Sequence, residues 1–255
     1  MNVPVENQPR SPEPPPGTPS AEPAEKGSLA TLIGVIFQPQ AAFRSIGKRP
    51  NWLLPLLACI VLVLLSTVLI INRMGMSNLM RSAMQGNPQA EEIAQKVEES
   101  SFTKTMIYLS PLIQTPIVMV VVAGVFLLVF MLAGVETNFK MAFSVTAHSF
   151  FAYSLVATLL SLVTVYAARD FANLDLRNPI ATNVGFFLDP AETSKFLYSV
   201  SSSLDVLSFW FIYLLALGFA ETSPKTRIQK TLPLVVVVWA IYVIGKAAFS
   251  GLFGR

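Results

Sequence analysis

The chain has 255 residues, of which 53% are apolar and 13% charged, with 18 Lys and Arg against 15 Asp and Glu. A soluble domain carries about 25% charge, so the composition argues against a water-soluble globule and for a membrane protein. A single Cys excludes a disulfide framework and any CxxC zinc or redox motif. A net charge of +3 gives no reason to expect nucleic acid as a partner.

Residues 1–27 hold eight of the eighteen prolines and four glutamates. That stretch cannot bury enough apolar surface to offset its ordering entropy, so it is expected to be a disordered, Pro-rich tail. It has no apolar run after a basic start and does not read as a signal peptide. Between 28 and 50, Leu29, Leu32, Ile33, Ile36 and Phe37 recur at helical spacing. Pro39 breaks the run, and Ala42, Phe43 and Ile46 make a second short apolar face beside Arg44, Lys48 and Arg49. Ten residues cannot cross a core of about 30 Å. These are amphipathic helices that lie on the bilayer interface or pack onto the protein itself.

Residues 51–255 read as a five-span domain. Span one, 52–72, contains fourteen Leu, Ile or Val residues, whose insertion gains roughly 7 kcal/mol before small polar penalties. Span two, 108–134, lies within 31 positions that carry no charge, and span three is 142–168. Asp205 and Glu221 bracket only 15 residues, as do Lys230 and Lys246. Spans four and five, at 202–221 and 231–250, therefore have to carry Asp205 or Lys246 within their hydrophobic length. The loop 73–107 holds a Met-rich face and then an acidic stretch. The loop 169–201 contains NPIATNVGFFLDP (178–190), whose Phe186 and Phe187 suit an interface. The fold class is thus an all-α integral membrane protein with five transmembrane helices. With the N-terminus inside, nine Lys or Arg lie on the inner side and eight outside. The clusters at 44–49 and 225–230 favour a cytoplasmic N-terminus.

Three intramembrane residues could carry chemistry. Asp205 lies 16 residues before Glu221, and Lys246 lies 16 residues after Lys230. Equal offsets in an antiparallel hairpin mean equal depth, about 24 Å from the shared turn. Functionally the pair is a proton or ion relay; structurally it is an ion pair, or a Lys that snorkels to the headgroups. His148 is the only His, so no multi-histidine metal site forms; it reads as a helix-helix hydrogen bond or a proton relay. Ser144, Ala147, Ser154, Thr158 and Ser161 recur along span three and suggest a close-packed face for contact within the chain, self-association or protein partners. No GxSxG, HExxH, P-loop or dinucleotide glycine pattern is present, so no enzyme and no cofactor is expected.

Several segments together resemble the bacterial Yip-one domain family (Yip/Yif-like five-span membrane proteins). They are VIFQPQAAFRSI (35–46) followed by RPNWLLPLL (49–57), GVETNFKMAFSVTAHS (134–149), NPIATNVGFFLDP, and SLDVLSFWFIYLLALGFAETS (203–223). The last is the most specific, with Leu204-Asp205, Trp210 and Leu217-Gly218 in the family's places. The resemblance covers about 28–255 and implies a multi-pass protein of the bacterial inner membrane with a cytoplasmic N-terminus. Eukaryotic relatives bind Rab-type GTPases and act in vesicle traffic. The DLYGP motif that accompanies this is absent from residues 1–27, which argues against GTPase binding. The function expected is a non-enzymatic, membrane-organising scaffold; the alternative is a small transporter or channel using Asp205, Lys246 and His148.

Overall fold

The computed structural model describes residues 28–84, 89–171, 174, 181–189 and 192–253. The tail 1–27 lies outside the described residues, as do 178–180 and 190 of the NPIATNVGFFLDP segment. The chain forms helices α1 (Ser28–Phe37), α2 (Pro39–Lys48), α3 (Leu53–Met74), α4 (Met76–Ala83), α5 (Ala90–Glu99), α6 (Ser101–Leu132), α7 (Phe139–Ala167), α8 (Lys195–Ser203), α9 (Val206–Thr222) and α10 (Ile228–Phe253). A 3-10 turn occupies Val184–Phe187. The protein is all-α. Four helices, α3, α6, α7 and α10, are long and apolar enough to cross a membrane, and α9 is a shorter apolar helix.

Two helix boundaries depart from expectation. The segment expected as one helix over 202–221 is two, α8 and α9, broken at Leu204-Asp205. A carboxylate is costly inside a helix in hydrocarbon but effective just before one. Asp205 takes that place as N-cap of α9 and accepts from the Leu207 N–H at 2.6 Å. Span two was expected from 108, but α6 starts at Ser101, where Ser100 caps it through the Thr103 N–H at 3.2 Å. Pro111 and Pro116 therefore lie well inside the helix. A proline removes the N–H that would bond the carbonyl four residues back. For Pro111 that carbonyl belongs to Ile107, and the Ser110 hydroxyl donates to it at 2.9 Å. The side chain replaces the missing backbone donor.

The core sits where the first half of α7 meets α9. Residues 142–149 of α7 are all buried, as are Leu214–Ala220 of α9. Gly218 permits the close approach: a Cβ there would stand 2.5 Å from Val145 Cγ1 and 3.0 Å from Phe43 Cε1. Phe130 stacks on Phe219 at 4.2 Å, and Phe126 adds a tilted contact at 5.7 Å. On the far side of α7, Phe143, Ala147 and Phe151 pack with Leu32, Leu56 and Cys59.

The N-terminal helices pack onto the bundle by one face only. Val35, Ala42, Phe43 and Ile46 join the core. Leu29, Ile33 and Phe37 point away and are 67%, 56% and 77% exposed. At that end Glu221 accepts from Arg44 Nε and Gln40 Nε2, both at 2.7 Å, which fastens α2 to the last turn of α9. At the opposite end α4 and α5 pair through Ile71, Met76 and Val97, with Leu79, Met80 and Ile93 around them. The Arg81 guanidinium grips both oxygens of Glu91 at 2.7 and 2.8 Å, Lys96 bonds Glu92, and Ser77 bonds Glu98.

Gly218→Leu is expected to cost about 1–3 kcal/mol or more by forcing α7 and α9 apart, read as a lowered melting temperature in detergent. An unchanged melting temperature would refute the close crossing. The hydrogen bond from Arg81 holds the Glu91 carboxyl below its usual range, and that from Lys96 does the same for Glu92. A carboxylate lowered in the folded state stabilises it above the ordinary pKa, and the gain vanishes as pH falls through the lowered value. Amide exchange in α4 and α5 is therefore expected to quicken below about pH 4, ahead of α7 and α9.

Candidate functional site

Cross-contacts place the helices in register. Thr231 of α10 donates to the Ala216 carbonyl of α9 at 2.7 Å. Near the other end Lys246 Nζ donates to Ser203 Oγ at 2.9 Å. Phe150 of α7 meets Phe211 of α9 edge-on at 4.9 Å. Asp205 and Lys246 thus lie toward one end of the bundle, far from the Arg44–Glu221 pair.

Between α6, α7, α9 and α10 is a cavity of about 840 Å³, within the usual size of a ligand site. Its two ends differ. Around the α8–α9 break it is lined by Asp205, Lys246, Thr182, Asn183, Ser202, Ser203, Tyr153 and Tyr242. Deeper, the walls are Val121, Val122, Val125, Phe126, Leu215, Val235 and Val238. Phe126, in that wall, packs against Phe130 and Phe219. Ile117, Val118, Val121 and Val125 of α6 line the cavity and are also 55%, 40%, 58% and 40% exposed, so the wall on that side opens outward.

The polar end is built by the break itself. The chain before the 3-10 turn runs beside it. Val206 N–H donates to the Thr182 carbonyl at 3.1 Å and Val184 N–H to the Leu204 carbonyl at 3.2 Å, making an isolated bridge of Asn183 with Asp205. Gly185 allows this approach, since a Cβ there would fall 2.9 Å from Ser202 Cα. The Thr182 hydroxyl donates to Asp205 Oδ2 at 3.1 Å, while Oδ1 receives the Leu207 N–H. Asp205 is half-buried and Lys246 exposed. The two share the cavity without forming an ion pair. Salt bridges form elsewhere among the described residues, as in Arg44–Glu221, Arg81–Glu91 and Lys96–Glu92.

His148 does not join them. It is buried in the first half of α7, and its Nδ1–H donates to the Ser144 carbonyl one turn back at 2.8 Å. Ser144 and Ala147, at the start of the small-residue stripe, are wholly buried inside the chain's own core, while Ser161, farther along, borders the cavity. Sequence reasoning missed Ser203 as the partner of Lys246 and Thr182 as a partner of Asp205. Nothing in the order of residues places 182 beside 205 until the chain folds back. The Gln40–Arg44–Glu221 cluster was also missed. Its only sequence signal is a carboxylate at a helix end and a basic residue on a short amphipathic helix 177 positions earlier.

Asp205→Ala is expected to lower stability by about 1 kcal/mol through loss of the cap, and Asp205→Asn to be nearly neutral because Asn caps equally well. The double change Asp205→Asn with Lys246→Met is expected to be additive to about 0.5 kcal/mol. Thermal unfolding in detergent measures both. Restoration of stability by the double change would show that the two residues pair after all.

The model of one protein family, the Yip1 domain, matches residues 33–249. No curated protein and no solved structure matches the chain. The matched segment takes in α10 as far as the turn after Lys246, the α8–α9 break with Asp205, and the second half of α1. The helical bundle just described is therefore that domain, and the chain belongs to the Yip1 domain family.

Proposed function

We propose that this multi-pass membrane protein of the Yip family is a non-enzymatic organiser of the bacterial inner membrane, with its N-terminus in the cytoplasm. The observation that carries the reading is the platform of α1 and α2. One face is locked into the core through Val35, Ala42, Phe43 and Ile46, and α1 presents Leu29, Ile33 and Phe37 outward, while Arg44, Lys48 and Arg49 are exposed on α2 and at its end. Apolar residues flanked by basic ones suit a bilayer surface with anionic headgroups. The basic cluster Lys225, Arg227 and Lys230 lies at the same end of the bundle, which supports a cytoplasmic placement. The 17 residues of α9 are about 25 Å long, and α8 continues beyond the break, so the two together complete a fifth crossing. Partners on this reading are the bilayer itself and proteins recruited to the platform.

A transporter is the second reading, and the cavity that holds Asp205 and Lys246 favours it. Against it stand the fully buried aromatic stack of Phe130 and Phe219 behind Phe126 of the cavity wall, and the burial of His148 away from the cavity. Purified protein reconstituted into sealed vesicles distinguishes the two. The organiser is expected to alter vesicle size and shape without collapsing ion or solute gradients. Replacing Leu29, Ile33 and Phe37 with Ser is expected to abolish that effect while the melting temperature holds. Gradient collapse that depends on Asp205 or Lys246 would instead establish transport. For orientation, in a Cys59→Ala background, Lys225→Cys is expected to react only with cytoplasmic reagent and Glu99→Cys only from outside. The reverse pattern would invert the topology.

A further inference from the structure

We infer that the cavity between α6, α7, α9 and α10 holds one phospholipid with a primary-ammonium headgroup, its ammonium on Asp205 and its phosphate on Lys246. The inference rests on the chain crossing a membrane, and goes beyond the organising role to assign a ligand.

Three observations converge on a lipid. The first is polarity along the cavity. Charged and hydroxyl groups gather at the α8–α9 break, and apolar walls continue from there to Leu215 and Phe126. From Asp205 to Leu215 along α9 is about 15 Å, half of a hydrocarbon core of about 30 Å and so the depth of one leaflet. The second is access. The α6 residues that line the cavity are also exposed on the surface of a membrane-crossing helix, so the opening faces acyl chains. The third is level. The 3-10 turn is tied to the break by the backbone bonds around Asn183 and Asp205, and it carries Phe186 and Phe187, 50% and 77% exposed. Exposed phenylalanines at that height fit the boundary between headgroups and chains. Asp205 therefore stands where headgroups stand, with an apolar slot directly beneath it.

Charge selects the headgroup. A carboxylate and an ammonium face one cavity without bonding each other, which is the complement of a zwitterion. Each Asp205 oxygen has two acceptor sites, and one on each is taken, by Leu207 N–H and by the Thr182 hydroxyl. Lys246 has three donors, of which one reaches Ser203. An ethanolamine headgroup supplies N–H donors to the first and phosphate oxygens to the second. A choline headgroup has no N–H to donate. A glycerol headgroup brings only the phosphate charge and sets it near the Asp205 carboxylate.

Trp239 lines the same cavity and serves as the reporter. The full chain is reconstituted into phosphatidylcholine bilayers that contain a minor fraction of phosphatidylethanolamine, phosphatidylcholine or phosphatidylglycerol with brominated chains. The Trp239 signal is the difference between the native chain and Trp239→Phe. Quenching by the brominated ethanolamine lipid is expected to exceed that by the choline lipid by about tenfold in apparent affinity, the contribution of one hydrogen bond to a charged group. Asp205→Asn, which keeps the helix cap, is expected to remove that preference. Equal quenching by all three lipids, preference for the glycerol lipid, or a preference that survives Asp205→Asn would each overturn the assignment while leaving the chain in the bilayer. No quenching by any lipid would overturn it together with the membrane-crossing placement.

Discussion

A break between two helices leaves backbone groups without intrahelical partners, and at Leu204-Asp205 the returning chain and the Asp205 side chain supply substitutes. Asp205 takes the Leu207 N–H, Thr182 takes the Val206 N–H on its carbonyl, and Val184 donates to Leu204. A buried backbone group left unsatisfied costs several kcal/mol, and these bonds hold the segment around 182–184 beside the break. The cavity depends on this arrangement. A continuous helix over 202–221 would have left no returning chain at the break to supply Thr182 and Asn183.

The remainder of the bundle holds the break at its depth. Gly218 lets α9 sit against Val145 and Phe43, and the Phe130–Phe219 stack joins α6 to α9 in the core. The last turn of α9 is held by Gln40 and Arg44 through Glu221. Arg44 is largely exposed, and an exposed ion pair contributes little. The position of α2 therefore rests chiefly on the burial of Phe43 and Ile46, with Glu221 setting its angle. One short amphipathic helix thus joins the outward platform to the core that supports the cavity.

The charges within the apolar length of the chain are handled in two ways. Asp205 is placed at a helix start, where a carboxylate complements the exposed N–H groups, and Lys246 reaches along its own helix to a serine on α8. Neither depends on the other for partners, which leaves both with bonding capacity toward the cavity. His148, in contrast, spends its Nδ1 proton on the preceding turn and is sealed among buried small residues.

The sequence by itself determined the membrane class, the helical architecture, and the Pro39 break between the N-terminal helices. These follow from run length, periodicity and a rise of about 1.5 Å per residue, which are local quantities. The family resemblance was legible for the same reason, since it resides in the order of such segments. The tertiary structure alone decided that α1 and α2 pack by one face, that Asp205 caps a helix, that Lys246 turns to Ser203, and that the early small residues of α7 face inward. Each of these depends on which distant segment arrives beside a residue. Polar groups in a medium without water take the partner that packing brings, and sequence spacing carries no record of that choice.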